Sequence, residues 1–182
     1  RLLPHRNSTT DYWRQGGGSI RIPDLLFALP ISRQKVILSK IIATVAACIF
    51  LGVIAFVNIL LGAPLVNMEL DTSHLLAACV SMVLLGLFFS GVGFLVGSLT
   101  GKKGVSLGIS SGLGILAFLF YSLAPLVDTF DFITPINPIQ WSLGGNQLFN
   151  GADFAGYAKL ASATIILYFL AIFTFNRKDI RN

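Results

Sequence analysis

The sequence predicts an all-α integral membrane protein with four transmembrane helices. Four apolar runs are each about as long as a bilayer is thick: residues 41–61, 75–99, 105–127 and 157–175. A run of 18 or more apolar residues is typical of a membrane-spanning helix, because lipid offers the backbone no water with which to form hydrogen bonds. Lys159 is the only formal charge inside these runs. The composition agrees, since 54% of residues are hydrophobic and 12% are charged, against about 25% charged in an average soluble protein.

The charged residues alternate in sign along the chain. Basic residues precede the first run, form the Lys102–Lys103 turn between the second and third runs, and follow the fourth, whereas the other two connections carry acidic residues. Because Lys and Arg are retained on the cytoplasmic side, we expect a multi-pass plasma-membrane protein with both termini cytoplasmic. The net charge of +5 therefore indicates membrane topology and membrane lipid as a partner, and we expect no nucleic-acid partner.

Three segments are expected along the chain. Residues 1–22 are polar and Gly-rich and do not begin with Met, which predicts a disordered or non-native tail. Residues 23–40 form a cytoplasmic coupling segment, and residues 41–182 form the transmembrane domain. Within that domain, residues 128–156 hold aromatic residues among prolines and glycines. This predicts an extracytoplasmic re-entrant or surface-lying helical element, and an ordinary aromatic-anchored loop is an equal alternative.

The coupling segment combines an apolar patch with a basic helix start. Leu25, Leu26 and Leu29 are too few to span a membrane, and Pro30 interrupts them. Ser32 has the character of an N-cap, from which a helix runs into the first apolar run. One interpretation is an interfacial helix that only anchors the first span. The other is a docking element for a soluble cytoplasmic protein.

Three motifs carry a resemblance to a known family. The stretch LLFALPISRQKVILSK, the Pro- and Trp-containing TPINPIQW at 134–141, and the Phe-x-Arg-x-Asp ending at 175–179 resemble, in this order, features of type-2 ABC transporter permeases. The resemblance favours the docking interpretation. The residues that it assigns to ATPase coupling are Leu25, Leu26, Leu29, Pro30, Ile31, Ser32, Arg33 and Lys35.

The resemblance also implies an architecture and partners. Family members usually have six spans, so the four runs would be the last four of a chain that is truncated at its N-terminus. Upstream of the Leu-rich stretch, Ser19–Pro23 departs from the acidic residue and Gly-Thr usual in the family. The implied function is the permease subunit of an ATP-driven exporter, which forms the translocation pathway. The implied partners are a separate ABC ATP-binding subunit and a second permease copy or homologue.

Small and polar residues within the runs predict how the helices pack. Two glycine rows at four-residue spacing predict close contact between the second and third spans, and Leu at Gly97 or Gly108 is expected to be more damaging than Leu at Gly52. Asn58 is the most polar side chain deep in the first run. It is expected to form an interhelical hydrogen bond, with contact to substrate as the alternative. The two rows are Gly93, Gly97, Gly101 and Gly104, Gly108, Gly112.

The sequence offers no catalytic or metal-binding pattern. The two histidines, His5 and His74, lie outside the runs and far apart, which speaks against an intramembrane enzyme. No G-x-x-x-x-G-K-[ST] phosphate loop occurs, so we expect this chain to bind no cofactor and ATP and Mg to be held by the partner ATPase. A non-transporting membrane scaffold or a small-molecule channel remains the alternative function.

Overall fold

The computed structural model describes residues 33–66, 68, 70–126 and 132–177, and within them it is helical with no strand. The predicted coupling residues from Leu25 to Ser32 lie outside the described residues. There are four long helices among the described residues. Three of them contain an apolar run in full, and the third helix in chain order ends at Leu123, where a 3-10 turn (Ala124–Leu126) continues the run that begins at residue 105. All four are long and apolar enough to cross a membrane, which confirms the predicted fold class. They are α1 (Arg33–Gly62), α2 (Thr72–Thr100), α3 (Lys103–Leu123) and α6 (Phe154–Arg177).

Helix α2 is the centre of the fold, and its most extensive contact is with α6. Leu75 and Leu160 in these two helices are 1% and 0% exposed. Two tyrosines of α6 add hydrogen bonds to this interface: Tyr157 Oη donates to the carbonyl of Ala77 at 2.7 Å, and Tyr168 Oη lies 2.7 Å from Ser90 Oγ. Apolar packing and polar cross-links thus act together to hold α2 against α6.

Helices α2 and α3 are antiparallel neighbours that are joined by only two residues. Gly101 adopts a left-handed conformation, with φ of 69°, and ends α2 by donating its N–H to the carbonyl of Gly97 at 2.9 Å. Only glycine takes this conformation without a steric penalty. One residue of the predicted first glycine row is therefore a helix cap.

The contact between α2 and α3 differs from the expected pairing of two glycine rows. From α3, Ser106 Oγ donates to the carbonyl of Gly93, and Ser110 Oγ donates to that of Phe89 at 2.7 Å. A Cβ added to Gly97 would lie 3.4 Å from Ser106 Oγ. Helix α3 thus presents serines to α2. A Cβ added to any glycine of the second predicted row would have no neighbouring atom within 4 Å, so this row forms no seam among the described residues: Gly104, Gly108 and Gly112.

Helix α1 contacts the rest of the fold mainly through α2, and most of its large apolar side chains are exposed. The closest approach is at Gly52, where an added Cβ would overlap Val83 Cγ2. Gly52 is therefore a tighter position than Gly97 or Gly108, which reverses the sequence-based order. Asn58 also differs from expectation: its side chain is exposed, and Nδ2 donates to the carbonyl of Ile54 in the same helix at 2.8 Å.

The charges separate to opposite ends of the helix bundle. A single cavity is lined by residues from the start of α1, the end of α2, the start of α3 and the end of α6, among them Lys40 and Lys103. We call this the basic end. Asp71 precedes α2 and Asp153 precedes α6, which defines the acidic end. The sign alternation in the sequence thus corresponds to two distinct ends in three dimensions.

Candidate functional site: a helical plug at the acidic end

Three short helical elements between α3 and α6 form a structure that we call the plug, residues 134–150. They are the 3-10 turn Thr134–Ile136, α4 (Pro138–Leu143) and α5 (Gln147–Asn150). Asn137 starts α4, since its Oδ1 accepts the N–H of Ile139 at 3.0 Å, and Pro138 occupies the first helical position. Asn at the cap and Pro directly after it is a favourable sequence for a helix start.

The plug is inserted against α2 through buried serines. Ser142 is 0% exposed and Ser81 is 1% exposed, and their hydroxyl oxygens are 2.8 Å apart. Ser81 Oγ also lies 2.6 Å from the carbonyl oxygen of Ser142, which accepts Gln147 Nε2 at 2.5 Å as well. Ser81 lies nine residues after the start of α2, which corresponds to about 13 Å along the helix axis. Through Ser142, the plug therefore reaches a level about 13 Å along α2 from the N-terminus of that helix.

A second polar bond joins the plug to α3. Asn137 is 4% exposed, and its Nδ2 donates to the carbonyl of Ala117 at 2.8 Å. Ala117 lies six residues before the end of α3, about 9 Å along the axis. At membrane depth, short helices and irregular backbone are tolerated only where protein groups satisfy their polar atoms. The side chains of Asn137, Ser142 and Gln147 meet this requirement, whereas the buried Oγ1 of Thr134 has no hydrogen-bond partner among the described residues.

The plug also contacts the start of α6 at close range. A Cβ added to the buried Gly156 would overlap the carbonyl oxygen of Trp141. The Oδ1 atom of Asp153 accepts the N–H groups of Ala155 and Gly156, both at 3.1 Å, and so caps α6. Trp141 is oriented by its indole N–H, which donates to the carbonyl of Pro135 at 2.8 Å. The plug thus bonds to or packs against α2, α3 and α6.

A cavity of about 460 Å³ lies between the plug and the start of α6. Its lining includes Gln140, Trp141, Asp153 and Lys159, so it offers an amide, an indole, a carboxylate and an ammonium group. Lys159, the one charge within the apolar runs, therefore lines a cavity of mixed polar and apolar character at the acidic end.

Asp71, at the same end, is the N-cap of α2, the helix that takes part in the most extensive contact of the fold. Its Oδ1 accepts the hydroxyl of Ser73 at 2.7 Å and the backbone N–H of Ser73 at 2.8 Å. These two hydrogen bonds, with a smaller contribution from His74, lower the pKa of the Asp71 carboxyl from its usual value. The residue is fully exposed, so the bonds act locally on the first turn of α2.

Those predicted site residues that the structure describes lie outside the plug. Of the predicted coupling residues, Lys35 is described and is exposed in the first turns of α1 at the basic end. The buried polar residues that hold the plug were not among the predicted site residues: Ser81, Asn137, Ser142 and Gln147. A lone Ser inside an apolar run carries little signal, but Asn137–Pro138 has a helix-start pattern that the sequence does show.

Comparison with known proteins identifies the family. The sequence model of a protein family, described as "ABC-2 family transporter protein", matches residues 17–180. This range contains all four long helices and the plug. No curated protein and no solved structure gives a match. The match covers most of the 182 residues and agrees with the four apolar helices. The chain therefore belongs to the ABC-2 family of transporter proteins, as a membrane-embedded permease component of an ABC transporter.

Proposed function

We propose that this chain is the permease subunit of an ATP-driven exporter, in which it lines the translocation pathway and is moved by a separate ATPase. The observation that carries the proposal is the family match over residues 17–180. Family membership implies an ABC ATP-binding subunit as partner. We further propose that ATP and Mg are bound by that subunit and that a second permease copy or homologue completes the transporter.

The proposed contact with the ATPase is the coupling segment at the basic end. Helix α1 is unbroken from Arg33 to Gly62, so a force applied just before Arg33 would tilt about 45 Å of helix as one body. The Leu-rich patch of residues 25–29 supplies an apolar contact, and Arg33 supplies a charge for an acidic groove. Under the positive-inside rule the basic end is cytoplasmic, where a soluble ATPase has access to it.

The plug is the proposed closure at the outer end of the pathway. It is held by polar bonds to α2 and α3 and by close contact with α6. In a closure that switches between two positions, the plug would exchange one set of hydrogen-bond partners for another. A movement of α1 would reach the plug through α2, which is the helix that α1 contacts most.

The test of coupling removes the apolar patch. Replacing Leu25, Leu26 and Leu29 by Ser should abolish co-purification with the ATP-binding subunit and leave membrane insertion intact. Arg33→Ala should weaken co-purification less, because a partly exposed ion pair contributes about 1 kcal/mol or below.

A matched control removes three exposed apolar side chains outside the coupling segment. Phe132, Phe149 and Phe154 are 70%, 83% and 79% exposed, and their replacement by Ser should leave association with the ATPase unchanged. If the triple Leu variant still bound its ATPase and transported normally, the segment would be only a membrane anchor. If both triple variants lost the ATPase, the effect would be one of folding.

A further inference from the structure

The basic end contains a cavity of about 340 Å³ that is lined by residues from all four long helices. Gly93 and Gly97 form part of the wall. Because these residues have no side chains, the space between α1, α2 and α3 stays open. Gly93 and Gly97 of the first predicted glycine row thus permit close contact with Ser106 and also leave room for this cavity.

Two lysines from different helices line this cavity. Lys40 belongs to α1 and Lys103 is the first residue of α3. Within residues 33–177 as described, neither ammonium group has a carboxylate partner or a hydrogen bond. The start of α3 adds to the positive potential, since Lys102 at the N-cap position provides no side-chain acceptor for the free N–H groups of the first turn.

The remaining wall is mostly apolar, and its two serines, Ser98 and Ser106, donate their hydroxyls to backbone carbonyls. Ile37, Phe94 and Phe175 line the cavity together with the two lysines, and Ile37 is buried. A soluble phosphate would gain from the lysines but leave this apolar surface without a partner. An amphiphile with an anionic head and a hydrocarbon tail satisfies both parts. The lysines lie at the ends of the apolar runs, which is the level of the lipid headgroups in a membrane-embedded chain.

We propose that this cavity is a binding site for one anionic phospholipid, whose phosphate lies between Lys40 and Lys103 and whose first acyl carbons contact Ile37, Phe94 and Phe175. Basic cavities between transmembrane helices at the cytoplasmic surface are suited to acidic lipid headgroups. The proposal does not depend on coupling to an ATPase, because it rests on the cavity and its charges alone.

The experiment measures lipid binding to the purified full chain in non-ionic detergent by native mass spectrometry. Phosphatidylglycerol and phosphatidylcholine with identical acyl chains are titrated separately, and glycerol 3-phosphate serves as the head without a tail. We expect phosphatidylglycerol to bind with one-to-one saturation and the other two to bind much more weakly. The variant Lys40→Ala/Lys103→Ala should bind phosphatidylglycerol about thirtyfold more weakly, which corresponds to about 2 kcal/mol for two interfacial lysines.

The matched control is Lys35→Ala/Lys102→Ala. It removes the same charge at the same end, but these exposed side chains do not line the cavity, so binding should stay within about threefold of the unmodified chain. Equal loss in the two double variants would overturn the proposal in favour of diffuse attraction to the basic end. Equal binding of the two lipids, or of glycerol 3-phosphate, would also overturn it. Unchanged lipid binding with loss of the ATP-binding subunit would assign the two lysines to that partner.

Discussion

Helices α2 and α6 form a packed pair, whereas α1 and α3 expose most of their apolar surface. In the most apolar 18-residue window of α2, 28% of residues are buried, and in α6 the figure is 17%, but in α1 and α3 it is zero. The most apolar window of α1 nonetheless has the highest mean hydropathy of these four windows. Hydrophobicity therefore does not distinguish the interior of this protein from its periphery.

The physical reason is the solvent. Lipid tails are as apolar as Leu, so burial of a Leu side chain in protein brings no hydrophobic gain in a membrane. Close contact forms where small side chains permit approach and where hydroxyl groups find partners. At the packed pair, a Cβ added to Gly91 would lie 3.1 Å from the Cβ of Leu167. One position before Gly91, the hydroxyl of Ser90 forms a hydrogen bond with that of Tyr168.

Among the described residues, Ser39, Thr44 and Asn58 of α1 form their side-chain hydrogen bonds within that helix. Helix α3 is cross-linked to α2 by Ser106 and Ser110 and to the plug by Asn137.

The largest expected effect follows from Gly156, where the plug meets the packed pair. Gly156→Ala would place a Cβ against the carbonyl oxygen of Trp141 and within 2.7 Å of Asp153 Oδ2. Backbone cannot move aside as a side chain can, so we expect a loss of about 3 kcal/mol in the free energy of unfolding, at the upper end of the usual cost of overpacking. Thermal unfolding in detergent, followed by size-exclusion fluorescence, measures it.

Gly108→Ala is the control for that substitution. Nothing lies within 4 Å of its added Cβ, and helix propensity favours Ala over Gly by about 0.5–1 kcal/mol. The midpoint of unfolding should stay the same or rise. If Gly108→Ala destabilised the monomeric chain as much as Gly156→Ala, the distinction between interior and periphery would fail.

Much of the architecture could be predicted from the sequence, but little of the packing. The four spans follow from uninterrupted apolar length, and the two charged ends follow from the positions of Lys and Asp. Gly104, Gly108 and Gly112 have the same spacing as a packing row, yet α3 turns Ser106 and Ser110 toward α2. Spacing defines a helix face, and it does not say which face meets a neighbour. The partners of Asn137 and Ser81 are 20 and 61 residues away in the chain, so no local pattern reveals them.

A second, smaller effect concerns how α1 is attached. Gly52→Leu would drive its side chain into Val83 Cγ2, and a side chain can rotate where backbone cannot. We expect a loss of about 1 to 3 kcal/mol and weaker association of α1 with α2. Limited proteolysis and thermal unfolding measure this against Gly97→Leu. A greater loss for Gly97→Leu would restore the order expected from the sequence.

Loss of a hydrogen bond of the plug should lower the free energy of unfolding by less than the steric clashes at Gly156 and Gly52. Ser81→Ala removes the donor to the carbonyl of Ser142 and one partner of its hydroxyl. We expect a loss of about 0.6 to 2 kcal/mol, the range for buried hydroxyl bonds in membranes and in proteins generally. Ser111→Ala, whose exposed hydroxyl bonds only within α3, should change the unfolding midpoint little. Equal effects of the two would contradict a special role for Ser81.

The smallest effect is a pH dependence at Asp71. Because hydrogen bonds from Ser73 lower its pKa in the folded state, its contribution to stability is present above the unfolded value of about 3.9 and is lost as pH falls through the lowered value. Asp71→Asn retains an acceptor but does not titrate. The difference in melting temperature between the two proteins should shrink between pH 5 and pH 2, values near the ordinary carboxyl range. A constant difference would contradict the assignment.

The seating of the plug on α2 is the central claim, and a cysteine pair tests it most directly. In a Cys48→Ala/Cys79→Ala background, Ser81→Cys and Ser142→Cys would replace hydroxyls that are 2.8 Å apart, close enough for disulfide geometry after small adjustments. Mild oxidation should join them and shift the mobility of the chain on a gel under non-reducing conditions. The control pair Ser81→Cys/Ser111→Cys should not react, because Ser111 is exposed on α3 and bonds to its own helix. Failure of the 81–142 pair to join, or joining of the 81–111 pair at the same rate, would contradict the account.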